Sequence, residues 1–117
     1  MAQLIWTEPA LNDLQTIAEY IALDKPDAAQ RFVQQVFSGV ERLTRFPRSG
    51  SIPSEIPRLP YRQIIVSPCR IFYRLNDDDI VIVFVMRSEQ LFKPEILSER
   101  TEENRTKISR VRRKRRR

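Results

Sequence analysis

The sequence predicts an α+β domain in which a mainly antiparallel four-stranded sheet packs on an N-terminal helical hairpin. Two long segments near the start repeat apolar residues at helical steps. Three later segments are short, apolar and rich in β-branched residues, with links too short for anything but antiparallel pairing. One of them, Ile80 to Met86, is apolar at every position, as expected of a strand buried on both faces.

Gln3-Leu4-Ile5-Trp6 reads as a first strand. Thr7-Glu8-Pro9 then starts a helix: Thr7 can cap it, Glu8 suits its positive end, and proline is tolerated in the first turn. Leu11, Leu14, Ile17, Ala18 and Ile21 fall on one helical face. Asp24-Lys25-Pro26-Asp27 breaks this helix and starts another, whose stripe is Ala29, Phe32, Val33, Val36, Phe37, Val40 and Leu43. Pro47 ends it. A short joint and facing stripes predict an antiparallel hairpin. Residues 47–60 carry Pro47, Gly50, Pro53, Pro57 and Pro60 and read as a loop. The strands Tyr61–Ser67, Arg70–Leu75 and Ile80–Met86 follow as a meander. With the first strand beside the last, the order across the sheet is 2-3-4-1. The chain order is β-α-α-β-β-β, and the sheet face away from the hairpin is where a functional surface is expected.

The chain has 117 residues, 41% hydrophobic and 31% charged, which suits one soluble domain. No apolar run approaches the roughly 20 residues of a membrane span. The opening residues lack a basic start and a cleavage site, so no signal peptide is expected. The lone Cys69 cannot form an internal disulfide; a cytoplasmic location follows as the expectation. Charge is unevenly placed. Residues 98–117 hold ten Lys or Arg and three Glu, a net of +7, while residues 1–97 hold eleven and twelve, a net of −1. The expected division is a folded body, 1–97, and a basic, flexible tail, 98–117. Arg110, Arg112, Arg113, Lys114, Arg115, Arg116 and Arg117 could clamp phosphates without regard to sequence; the alternative is an extension with no evolved role.

Several local sequences, in order, resemble the RelE/ParE toxin superfamily: Trp6-Thr7-Glu8-Pro9-Ala10, Phe46-Pro47-Arg48-Ser49-Gly50, Leu59-Pro60-Tyr61-Arg62, Cys69-Arg70-Ile71-Phe72-Tyr73-Arg74 and Val85-Met86-Arg87-Ser88-Glu89. The resemblance covers residues 3–95 and implies the toxin of a type II toxin–antitoxin module. One branch of the family cuts messenger RNA on the ribosome; the other, ParE-like, poisons DNA gyrase. Both imply a cognate antitoxin, carrying its own DNA-binding domain, in a hetero-oligomer with the toxin. No cofactor and no membrane are implied.

The residues bear on the branch. RNA cleavage through the 2′-hydroxyl needs a base, an acid and positive charge at the phosphate. The chain has no histidine. By the resemblance, Arg70 and Arg87 match arginines of the nuclease branch, while Arg62 and Ile64 stand where lysines would be, and Leu91 and Phe92 where a tyrosine would be. Arg62, Arg70 and Arg87 would be the catalytic set of a nuclease, yet arginine is a poor base. This favours a ParE-like gyrase inhibitor that binds without bond chemistry; the ribosome-dependent nuclease and a nucleic-acid-binding module led by the tail are the alternatives. Arg70, Phe72 and Arg74 share a strand face by alternation. With Arg62 and Arg87 they form the expected partner-binding surface. Asp77-Asp78-Asp79 reads as a hairpin turn, so no metal is assigned, and Cys69, with no base partner, is not a nucleophile.

Overall fold

The computed structural model describes residues 3–106 and 111–112. Strand β1 (Leu4–Trp6) leads into helix α1 (Glu8–Ala22), followed by α2 (Pro26–Glu41) and a 3₁₀ turn, Arg42–Thr44. Strands β2 (Arg62–Val66), β3 (Cys69–Asn76) and β4 (Asp79–Arg87) make the meander, helix α3 (Glu95–Thr106) follows, and a two-residue strand β5 (Val111–Arg112) completes the sheet. The sheet order is β2-β3-β4-β1-β5. The expected 2-3-4-1 order is therefore present, extended by one short strand. β1 runs parallel to β4 and the meander pairs are antiparallel, so the sheet is mixed.

Thr7 ties local structure to tertiary structure. Its hydroxyl accepts from the Ala10 amide, capping α1, and donates to the Ile82 carbonyl at 2.8 Å. One buried side chain thus starts the helix and fixes it to the central strand. Pro26 opens α2 without a side-chain cap; its preset φ does the equivalent work. Asp77, in the turn between β3 and β4, has φ 57°, a left-handed conformation that aspartate tolerates better than most residues.

The first core lies between sheet and hairpin. Leu14, Ile17, Phe32, Val36 and Val40 pack on Leu4, Ile71, Tyr73, Ile80, Ile82 and Val85. A second core covers the opposite face, where an open surface was expected. It comprises Ile56 and Tyr61 from the 45–61 segment, Phe72, Val81, Val83, Phe84 and Met86 from the sheet, and Phe92 and Leu97 from the C-terminal side. Phe72, Phe84 and Phe92 stack with centroids 5.0 to 6.4 Å apart. Burying each such ring is worth about 2–3 kcal/mol, which explains why the face is closed. It also explains why β4 is apolar on both sides.

The parity of β4 changes midway. The β3–β4 register shifts between Phe72 and Tyr73, with Phe72 opposite Phe84 but Tyr73 opposite Ile82. Val83 is the extra residue of a β-bulge. Val83 and Phe84 consequently both face the second core, and Val85 returns to the first.

Candidate functional site

The five residues expected to form one partner-binding face are not together. Phe72 is fully buried beneath Phe92 and is a core residue, not a contact surface. Arg70 lies above that aromatic stack, its guanidinium 4.9 Å from the Phe72 centroid and 5.4 Å from that of Phe92. Its Nε donates to Gln63 Oε1, and its two Nη atoms donate to the two Glu55 oxygens at 3.0 and 2.9 Å. This bidentate geometry is the strong form of the arginine–carboxylate pair. The Arg70 bond also holds the Glu55 carboxyl below its ordinary pKa, against a smaller opposing effect of burial.

Arg87 pairs with Cys69, and Arg70 with Met86, so the two arginines leave the sheet on opposite faces. Arg87 follows Val85 on the hairpin side, 4.5 Å over the Tyr20 ring of α1, with Nε 3.4 Å from Glu89. Arg70 and Arg87, expected on one surface, point to different faces, each beside its own glutamate. The extra residue at Val83 sets the side on which Arg87 emerges.

Arg62 and Arg74 belong to another arrangement, built on the loop. Gly50 donates its amide to the Tyr73 hydroxyl at 2.9 Å, and that hydroxyl donates to the Pro47 carbonyl at 2.8 Å. Ser51 and Gln63 exchange two backbone bonds. Arg62 Nη1 donates to the Arg48 and Gly50 carbonyls at 3.1 and 2.8 Å. The 45–61 segment is thus a strap fastened to β2 and β3. Only glycine fits at position 50: a Cβ there would lie 2.5 Å from Tyr73 Oη and 2.7 Å from the Gln63 carbonyl oxygen. Arg62, Arg74 and Arg48 line one hollow of about 230 Å³. Arg48 was not among the expected site residues, although it stands in the Phe46–Gly50 sequence that carries part of the family resemblance.

The expected boundary between body and tail cuts through α3. Leu97 is buried, and Arg100, three residues on, is anchored to the body. Its Nη atoms donate to Asp13 at 2.6 and 2.9 Å and to the Val83 carbonyl at 3.0 Å, while Asp13 accepts from the Val85 amide. β1 ends opposite Ile82, so among the described residues the outer edge of β4 beyond that point has no strand neighbour. The Asp13–Arg100 pair supplies the acceptor and donor that a strand would have given. Of the basic residues proposed to clamp phosphates, Arg112 lies in β5, and Arg110, Arg113, Lys114, Arg115, Arg116 and Arg117 lie outside the described residues.

Two groups that could move a proton are held inert. The Tyr73 hydroxyl is occupied on both sides, and burial raises its pKa despite the Gly50 amide and Arg62. Burial also pushes the Cys69 thiol up to about 11, leaving it protonated and unreactive at neutral pH. Phe92, at the place where a nuclease tyrosine would be expected, stacks under Arg70 and has no hydroxyl. Ile64, at a lysine place, packs against the first core. Among the described residues no group of three His, Cys, Asp or Glu side chains could hold a metal ion, and no helix is long and apolar enough to cross a membrane.

A mixed sheet packed on an N-terminal helical hairpin, with arginines on both faces of its meander, defines a small α+β domain, and its relatives give its class. A sequence profile described as "ParE toxin of type II toxin-antitoxin system, parDE" matches residues 4–92. The chain is 32% identical over 91 residues to Toxin RelE2 of Caulobacter vibrioides, covering 78% of this chain and 100% of that protein. It is 30% identical to Toxin ParE3 of the same organism, covering 74% and 86%. A solved structure described as the chromosomal ParDE TA system from P. aeruginosa superposes with a TM-score of 0.66 at 27% identity, covering 76% of this chain and 98% of that one. The chain belongs to the ParE toxin family, within the RelE/ParE superfamily of type II toxin–antitoxin toxins.

Proposed function

We propose that this toxin acts by binding DNA gyrase, without cutting a nucleic acid, and that a cognate antitoxin silences it. The observation that carries this reading is the state of Arg70. It is the arginine that would hold a scissile phosphate, yet it is held in a bidentate pair with Glu55 over an aromatic stack. A phosphate would have to displace that carboxylate, and Phe92, stacked at the place of the nuclease tyrosine, has no hydroxyl to move a proton. The relatives carry both RelE and ParE names, so the branch is argued from residue chemistry and from the ParE profile together. An antitoxin partner is supported by the ParDE neighbour, whose description names a toxin–antitoxin system.

The direct test is supercoiling of relaxed plasmid by purified gyrase with increasing toxin. Inhibition at micromolar toxin, relieved by the co-expressed antitoxin, is expected. Undiminished supercoiling at that concentration would remove gyrase as the target.

A further inference from the structure

Six arginines on or beside the sheet differ in their partners. Arg70, Arg87 and Arg100 each have a carboxylate within ion-pair distance: Glu55, Glu89 and Asp13. Arg48, Arg62 and Arg74 have none among the described residues, and these three line the same hollow. Arg62 donates to two neutral backbone carbonyls, those of Arg48 and Gly50. Arg74 Nε is buried without a hydrogen-bond partner. A buried N–H left unpaired is costly, and three like charges around one small volume repel each other. An anion in the hollow would offset the repulsion and give the Arg74 guanidinium an acceptor. The planar guanidinium fork is suited to a carboxylate or a phosphate.

The walls choose between these. Ile52 and Leu59 border the hollow and are 52% and 41% exposed, and Leu75 joins them. About 230 Å³ is below the usual size of a small-molecule pocket and accepts one charged group with a short hydrocarbon stem. A side-chain carboxylate flanked by apolar residues satisfies charge and walls together. A backbone phosphate, flanked by hydrated sugars, would leave Ile52 and Leu59 uncovered.

We propose that the Arg48–Arg62–Arg74 hollow receives an acidic side chain, with its apolar neighbours, from a protein segment that binds this toxin. This deepens the reading that the toxin is held by an antitoxin, and rests on it for the source of that segment.

The test uses the full chain labelled with nitrogen-15, following the arginine Nε–Hε signals during titration with acetyl-Leu-Glu-Leu-amide, its Gln analogue, and inorganic phosphate at matched ionic strength. The Arg74 signal should move saturably with the Glu peptide, while those of Arg70 and Arg100 stay in place. The Gln peptide and phosphate should each bind at least tenfold more weakly. Arg48→Ala and Arg74→Leu should each weaken the Glu peptide at least fivefold, and Arg74→Lys less. No saturable shift, or equal binding of the two peptides, overturns the proposal; phosphate binding more tightly than the Glu peptide overturns it in favour of a phosphodiester ligand. The wild-type titrations stand even where a variant fails to fold. Gyrase inhibition by the same preparation reports separately on the proposed target, so peptide binding without inhibition removes gyrase and keeps the hollow.

Discussion

Replacing Arg100 with alanine leaves the Asp13 carboxylate facing the edge of β4 without its cation. The side chains of Arg100 and Asp13 are 19% and 16% exposed, so the pair is largely, though not wholly, withdrawn from water. Breaking a fully buried pair costs about 3–5 kcal/mol; water reaching this partly exposed edge should reduce that to about 2–3 kcal/mol. The loss includes two bonds to Asp13, one to the Val83 carbonyl, and the contact of the guanidinium with the Phe84 ring at 4.9 Å. Asp13→Ala should cost slightly more, because the Val85 amide loses its acceptor too. The double variant should fall short of the sum by about 1–2 kcal/mol, the coupling expected of residues in one network. Urea titration reads this out: with a slope of about 1–3 kcal/mol per molar, either single variant should lower the midpoint by roughly 1–2 M. An Arg100→Ala midpoint indistinguishable from wild type would refute the view that α3 is part of the folded body.

Gly50→Ala should unfasten the strap. The added methyl collides with Tyr73 and the Gln63 carbonyl, and losing two or three hydrogen bonds at about 1 kcal/mol each predicts a clear drop in melting temperature by calorimetry. Glu55 predicts a pH effect. Its folded pKa lies below the ordinary value of 4.5, so its contribution is full above 4.5 and is lost as pH falls through the folded value. Glu55→Gln should therefore reduce the acid sensitivity of the urea midpoint, most visibly below pH 4.5; equal acid sensitivity in both proteins would count against the Arg70 pair. Cys69, buried and with its thiol raised to about 11, should resist iodoacetamide at neutral pH in the native protein and react once urea unfolds it. Labelling of the native protein at the unfolded rate would contradict that placement.

Much of the architecture was legible because it is written in apolar spacing and turn chemistry. The stripes of α1 and α2, the cap at Thr7, the turn at Asp77, and the burial of β4 between β3 and β1 all follow from local pattern. The site was legible only in part. A bulge cannot be seen in Ile80–Met86, since a run that is apolar at every position carries no alternation to interrupt. The side on which Arg87 emerges was therefore not determined. Phe72 reads as an exposed residue between two arginines until Ile56, Phe92 and Leu97, all distant in sequence, close over it. Arg100 docks α3 through a charge pair and a strand edge, so no hydrophobic period marks that segment as part of the body. Arg48 was overlooked because its role comes from the shape of the strap, which the residue types of a proline-rich loop do not specify.

The central claim is that this toxin grips its target and breaks no bond. It is tested most directly by primer extension on messenger RNA in a reconstituted translation reaction, using the same toxin preparation that is assayed for inhibition of supercoiling. The account predicts full-length transcripts with no codon-positioned ends. Cleavage at positions set by the ribosome, abolished by Arg70→Ala, would contradict it and move the protein to the nuclease branch.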